Sequence, residues 1–353
     1  FLLIILLILH VKYSKNIENN SINPKNVISI NYLNEIYSPK IVYNNQYNNY
    51  ENSTKNLIHI SYSLDNKLVY PTFVSMLSGL ENCNKDNLIV YHLLLSHSFN
   101  TTDIEIFESL KDKYEVKINY YIIPNIFGFA RRWTDNTDCV YYKILIPFMF
   151  PDYERMIYLD GDTLIRKDIL EMFTYPFYNN YILGFPFYMG YVMGKYGIKK
   201  PEHYINGGCL LFNIKKIIKD HKDIDLLSLT IKNNSKWLFR EQDSINYAFY
   251  PKIGFLPLKY GIYMIGSKYA FKALASHVYS PLNSTEAEEA IKDPSIVHFS
   301  CCWPKIWTNG TKNLFKDKDI CLRYQKEFYF YANKSKYYKI INEIGRASCR
   351  ERV

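Results

Sequence analysis

The chain has 353 residues, of which 48% are hydrophobic and 17% aromatic, enough to bury a sizeable core and too many for a small stapled scaffold. Its formal net charge of +9 is carried mainly by lysines spread evenly, without the arginine clusters and aromatic interleaving of a nucleic-acid surface. Most of these lysines simply cover the surface, and the excess also suits an anionic substrate such as a nucleotide diphosphate.

The chain opens on the apolar run FLLIILLILHVKYSK, shorter than the about 20 residues of a membrane span. Residues 1–11 are expected to be the truncated part of a signal-anchor or signal peptide. Either implies the secretory route: a single-pass type II protein of the ER or Golgi membrane with its main domain in the lumen, or a secreted one. Sequons at Asn19, Asn52, Asn100, Asn233, Asn283, Asn309 and Asn333 agree with that route. So do Cys83, Cys139, Cys209, Cys301, Cys302 and Cys321, an even set compatible with disulfides. No Cys-x-x-Cys or Cys/His spacing suggests zinc. Residues 12–56, rich in Asn, Tyr, Ser and Ile without a sustained period, are expected to form a stem.

From Leu57 the character changes. LIHISYS predicts a strand, TFVSMLSGL a helix, NLIVYHLLL a buried strand, DIEIFESLKDKY an amphipathic helix and EVKINYYII another strand. This alternation predicts an α/β sheet built from β-α-β units. YYKILIPFMF then predicts an apolar helix ending at Phe150-Pro151, and a short strand over 155–159 delivers Asp160-Gly161-Asp162 to its C-terminal end. In open α/β sheets ligands bind at that edge. Two carboxylates one residue apart, with Gly161 allowing a tight turn, can converge on Mg²⁺ or Mn²⁺. That cation can bind a diphosphate and stabilise it as a leaving group. Spacing alone favours ordinary solvated surface for such a pair. The apolar MIYL before it and Leu164-Ile165 after it are what place it at a sheet edge. Residues from about 300 to 344 are expected to close the same domain. The last ten, IGRASCRERV (344–353), break with the preceding composition and are expected to be an appended artefact outside the fold.

Four segments, YYKILIPFMFPDYERMIYLDGDTLI, HYINGGCLLFNIKKI, FREQDSINYAF and IVHFSCCWPKIW, resemble glycosyltransferase family 8 in order and spacing, over about residues 57–307. That family includes bacterial lipopolysaccharide glucosyl- and galactosyltransferases and, more distantly, glycogenin and galactinol synthase. The resemblance implies a Rossmann-like, nucleotide-sugar-binding mixed sheet of GT-A type in one catalytic domain, residues 57–343. It implies a retaining enzyme that moves a hexose, glucose or galactose, from a UDP-sugar to a hydroxyl of a glycan, lipid or protein acceptor.

Carried onto this chain, the resemblance makes Asp160, Asp162 and His298 the ligands of Mn²⁺, with Mg²⁺ as the alternative; an imidazole ligand suits the transition metal. Ser63 and Asp65 would hold the nucleotide, and Lys143 would contact the donor. Asn206, Gly207 and Gly208 would let backbone approach the donor sugar. Glu241 would bond sugar hydroxyls, and Gln242 would lie near the anomeric face opposite the leaving group. Lys305 and Lys143 would neutralise the diphosphate with the metal. A Gln amide is a poor nucleophile, which favours front-side displacement over the paired-carboxylate route of retaining glycosidases. Read alone, Asp65 equally suits a turn, Gly207-Gly208 a glycine turn, Glu241-Gln242-Asp243 a helix start and His298 a core or surface position. The chain departs from the family pattern at Asn66-Lys67-Leu68, Tyr188, Cys301-Cys302 and Ile306. Two alternatives are a degenerate transferase that binds glycans and a haloacid dehalogenase-like phosphatase. In the latter, Leu164 would stand where a Thr is expected.

Overall fold

The computed structural model describes residues 40–43, 54–128, 138–187, 194, 196, 204–233, 236–263, 284–300, 307 and 318–350. Within the expected stem, KIVY forms β1 (Lys40–Tyr43), a strand too short to leave a visible period. NLIHISYSL forms β2 (Asn56–Leu64), followed by α1 (Val69–Glu81) and β3 (Asn87–Leu95), close to the spacing prediction. The next predicted helix is instead a single turn, α2 (Ile104–Glu108), between 3-10 turns. Over α2 and the 3-10 turn after it, Ile104, Ile106, Phe107 and Leu110 are buried. After β4 (Lys117–Ile122), the predicted apolar helix is a 3-10 segment, Asp138–Leu145, running into α3 (Ile146–Met149). Pro147 lacks an N–H and fits only the first turn of α3, so it divides the segment.

There follow β5 (Met156–Leu159), β6 (Thr163–Ile165), α4 (Leu170–Phe173), β7 (Ile182–Pro186) and β8 (Ile205–Phe212). Then come α5 (Ile214–Lys219), α6 (Lys222–Asn233), α7 (Glu241–Phe249), β9 (Ile253–Phe255) and β10 (Tyr260–Tyr263). The chain continues through α8 (Ser284–Lys292), β11 (Ile296–His298), α9 (Lys318–Asn333) and α10 (Tyr338–Arg350). The last helix runs across the boundary expected at 343.

The fold is a mixed α/β sheet with strand order β1-β4-β3-β2-β5-β8-β7-β9. Strands β4, β3, β2 and β5 are mutually parallel, whereas β8 pairs antiparallel with β5. The C-terminal ends of β2 and β5 therefore share one edge with the N-terminal end of β8. Both faces are covered. Ile157, Leu159, Cys209 and Leu211 join the core on the α1 side, and Met156, Tyr158, Leu210 and Phe212 join the core beneath 138–150 and α7. Each such large apolar side chain contributes about 1.5–3 kcal/mol by leaving water. Two-sided burial is why these strands read as unbroken apolar runs.

A second sheet has the order β10-β11-β6. In it His298 pairs with Thr163, so the histidine lies inside β11 rather than after a strand ending at 297. Helix α9 packs against the end of α1 and the residue after β6. Asn82 Nδ2 at the end of α1 donates to Tyr331 on α9 at 2.8 Å, and the Arg166 guanidinium pairs with Glu327. Cys83 and Cys209 are thiols that donate to the carbonyls of Asn84 and Tyr260. Among the described residues no helix is long and apolar enough to cross a membrane. The expected anchor, residues 1–11, lies outside them.

Candidate active site

The DGD turn is set by the strand before it and by hydroxyls beneath it. The Asp160 N–H donates to Gly208 O at 2.9 Å, which continues the β5–β8 ladder by one residue. Thr163 Oγ1 donates to the Asp160 carbonyl at 2.9 Å and lies 2.8 Å from Ser75 Oγ, itself 2.9 Å from the Tyr62 hydroxyl. Gly161 has no room for a side chain, since an added Cβ would lie 2.2 Å from Thr72 Oγ1.

The register of β11 against β6 carries His298 to this turn, and the Phe299 N–H fixes it by donating to the Asp162 carbonyl at 2.8 Å. His298 Nε2 lies 3.2 Å from Asp162 Oδ1 and 3.5 Å from Asp160 Oδ2. One ligand atom from each of the three residues falls within 4.8 Å of the others. Two carboxylates and an imidazole nitrogen form a donor set that fits a divalent cation, so the expected trio is brought together. Gly208 makes space for it: a Cβ there would lie 2.1 Å from His298 Cε1 and 2.6 Å from Asp160 Oδ2.

The charges are balanced tightly. Burial pushes the Asp160 carboxyl upward, but Lys143 and then His298 outweigh it and hold the group at about 2. Burial acts against the His298 imidazolium, yet Asp162 and Asp160 raise it to about 9. Any cation taking this site must displace that proton.

Lys143 is the hub on the other side. It is 1% exposed and its Nζ donates to Asp160 Oδ1 (3.2 Å), Gly207 O (2.9 Å) and Glu241 Oε1 (3.3 Å). These use all three ammonium hydrogens. The Tyr158 ring lies 4.6 Å below the ammonium, and its hydroxyl donates to Asp160 Oδ1 at 2.8 Å. Burial, and then Asp160, push that phenol far above its ordinary range, so it remains a donor.

Gln242 is the second residue of α7, and its Oε1 accepts from the Gly207 N–H (2.8 Å) and Asn206 Nδ2 (3.3 Å). Asn206 Oδ1 accepts from the Gly208 N–H at 2.8 Å, an Asx turn that shapes the start of β8. Asn246, one turn along α7, bonds both the N–H and the carbonyl of Ile205, which locks helix to strand. Ser63 and Asp65 are buried at the end of β2, and Asp65 Oδ1 accepts from the Lys67 N–H at 2.9 Å as a cap. Lys305 and Tyr188 lie outside the described residues, as do Cys301, Cys302 and Ile306.

Tyr158, Tyr204, Asp243 and Asn246 are the site residues that motif reading did not select. Tyr158 was within reach: two positions before Asp160 on a strand, it shares that residue's face. Tyr204 and Asp243 are joined only by the packing of β8 on α7, which no local spacing signals.

The family model "Glycosyl transferase family 8" matches residues 59–311. No curated protein sequence matches the chain. Among solved structures, a galactosyltransferase, LgtC, in complex with donor and acceptor sugar analogues is similar, with a TM-score of 0.66 at 15% identity. The match covers 79% of this chain and 96% of that one. The bifunctional glycosyltransferase WbbM matches with a TM-score of 0.65 at 16% identity over 82% of this chain, which spans only 51% of WbbM. The glycosyltransferase GlyE of Streptococcus pneumoniae matches at 0.52 and 16% identity, over 82% of this chain and 64% of that one. These likenesses establish the fold. Leu164, where the phosphatase alternative expects a Thr, is a fully buried core residue of β6.

Proposed function

The chain belongs to glycosyltransferase family 8 and is a glycosyltransferase, and from that premise we propose that it moves a hexose, glucose or galactose, from a UDP-sugar to an acceptor hydroxyl with retention of configuration. The observation that carries this reading is the convergence of Asp160, Asp162 and His298 at the sheet edge beside Lys143, Glu241 and Gln242. Asp160, Asp162 and His298 would hold Mn²⁺ or Mg²⁺, and that ion would supply charge stabilisation to the departing diphosphate.

The chain's own groups divide the remaining work. Lys143 neutralises Asp160 and Glu241, and it reaches an incoming anion only by releasing one of its three present acceptors. Glu241 Oε2 is buried without a hydrogen-bond donor among the described residues and is the acceptor left for a sugar hydroxyl. Asn206 and Gly207, held from below by Gln242, form the floor on which the sugar rests. The Gln242 oxygen is occupied by two donors, which supports front-side displacement over attack by this side chain. Asp65 and Ser63, buried at the end of β2, would meet the nucleoside. A glycan, lipid or protein acceptor fits the reading equally. The apolar segment 1–11 and the sequons support a membrane-tethered enzyme with its catalytic domain in the ER or Golgi lumen.

The test is a screen of the full chain with UDP-glucose, UDP-galactose and other UDP-sugars, scoring UDP release with Mn²⁺, with Mg²⁺ and with chelator, and the anomeric configuration of the product. Metal-dependent release with a retained anomer is expected. An inverted anomer would remove the front-side mechanism, and no release from any UDP-sugar would remove the proposal.

A further inference from the structure

The fully buried hydroxyl of Tyr204 lies against the site and has no role in the reaction scheme. Tyr204 immediately precedes β8, and its hydroxyl lies between two neighbouring residues of α7, 2.9 Å from Gln242 Nε2 and 2.6 Å from Asp243 Oδ1. An ionised carboxylate only accepts, so the phenolic proton goes to Asp243, and toward Gln242 the hydroxyl can only accept. That contact requires Nε2 on the tyrosine side. On the opposite side the Gly207 N–H, 2.8 Å away, can only donate, which requires Oε1 there. Two contacts, from Tyr204 just before β8 and from Gly207 within it, thus dictate the same amide orientation. Asp243 is itself fixed, because its Oδ2 accepts from the Phe239 N–H at 2.8 Å and from the Tyr196 hydroxyl at 3.2 Å. The chain of donors therefore runs in one direction, from Gln242 to Tyr204 to Asp243.

We propose that Tyr204 is a positioning residue of the transfer reaction: anchored by Asp243, it holds the Gln242 amide with Oε1 against the Asn206-Gly207 turn and so fixes the floor under the donor sugar. The kinetic consequence rests on the glycosyl-transfer reading, whereas the orientation itself does not. Reversing the amide would set its NH₂ against the Gly207 N–H, donor against donor, and would release the turn that also carries the Gly207 carbonyl to Lys143.

The first measurement follows the Gln242 side-chain amide in protein labelled with ¹⁵N at glutamine, the signal being identified by its loss in Gln242→Ala. Tyr204→Phe is expected to shift this NH₂ signal and to speed its exchange with solvent. Asp243→Asn, which can donate to Tyr204 and so reverse the chain, is expected to shift the same signal; it serves as the second variant if Tyr204→Phe does not fold. An unmoved signal in a folded variant overturns the proposal whether or not the protein transfers sugar. The second measurement is kinetic. Tyr204→Phe should lower kcat about 10- to 100-fold with the donor KM within about threefold, the signature of lost alignment rather than lost binding. In the Gln242→Ala background the same change should cost less than about twofold, because the two residues act as a unit. Equal losses in both backgrounds would overturn the positioning role. If the wild-type chain turns over no UDP-sugar, the transfer reading fails while the amide signal still decides the orientation.

Discussion

Replacing Gly208 with Ala tests the site at the point where it has least room. The added Cβ would stand 2.1 Å from His298 Cε1, 2.8 Å from His298 Nδ1 and 2.6 Å from Asp160 Oδ2. Carbon atoms rest at about 3.5–4.0 Å, so the imidazole has to retreat by about 1.4 Å or more. It cannot do so freely. His298 is buried and its strand is held by Thr163 and by the Phe299 bond to Asp162, while β8 is held by the Asp160 bond to the Gly208 carbonyl. A protein metal site tolerates about 0.2 Å in ligand position, so the displacement amounts to losing one ligand and disturbing a second. Disturbing only the groups behind the ligands typically lowers metal affinity about 10–100-fold, so Gly208→Ala should weaken Mn²⁺ binding by at least about 100-fold. Overpacking should add about 1–3 kcal/mol of destabilisation. Titration calorimetry with Mn²⁺ measures the first effect and urea unfolding with chelator the second. Gly207→Ala is the control. Its Cβ would meet Gln242 Cβ at 3.4 Å and Lys143 Nζ at 3.5 Å, ordinary contacts that should leave Mn²⁺ affinity within about threefold. Wild-type Mn²⁺ affinity in folded Gly208→Ala would refute the reasoning.

Lys143→Met strips two carboxylates of their cation, and removing one partner of a buried ion pair costs about 3–5 kcal/mol; a urea midpoint matching wild type at neutral pH would show that Asp160 and Glu241 do not depend on it. Tyr158→Phe deletes the donor to Asp160 Oδ1 while keeping the ring under Lys143, so Mn²⁺ affinity should drop about 10-fold or more, and an unchanged calorimetric titration would remove Tyr158 from the site. Acid sensitivity should come from the half-buried His59 and the buried His92, whose rings meet Nδ1 to Nε2 at 3.1 Å. Burial lowers His59 to about 4 from 6.5, and burial followed by His59 lowers His92 well below its ordinary value. Both are neutral when folded and take up protons on unfolding, so their contribution to stability is complete above pH 6.5 and is lost as pH falls toward about 4. Urea unfolding across that window should steepen with acid in the wild type and flatten in His59→Gln/His92→Gln, and equal slopes would place the sensitivity elsewhere.

The β2 to β5 half of the fold was legible because its strands are buried on both faces and so spell unbroken apolar runs. LIHISYS and NLIVYHLLL fall within β2 and β3, and the DGD turn follows β5 as its flanking residues require. Segments whose geometry depends on partners elsewhere were less legible. KIVY becomes a strand because it pairs antiparallel with β4, and YYKILI takes 3-10 form before Pro147 although its apolar positions fit an α-helix. The metal trio could be named from motifs, but the reason for its convergence, the β6–β11 register, involves residues far apart in the chain. Lys143 read as a donor-contacting charge; that it holds Asp160, Glu241 and the Gly207 carbonyl together follows only from tertiary packing. The same limit hid Tyr204, whose partners lie on a helix more than thirty positions away.

The pairing of β11 with β6 also sets a schedule for biosynthesis. Asp160 and Asp162 leave the ribosome early, yet the strand bearing His298 is made about 130 residues later, on the order of ten seconds at typical elongation rates. Until then β6 lacks its neighbour in the small sheet, and Asp160 and Asp162 stand at the sheet edge without the imidazole of His298. Competence is thus acquired in one late step, when a distant three-residue strand docks. A chain cut short before residue 296 would carry every strand of the large sheet and lack the one that brings His298 to Asp160 and Asp162.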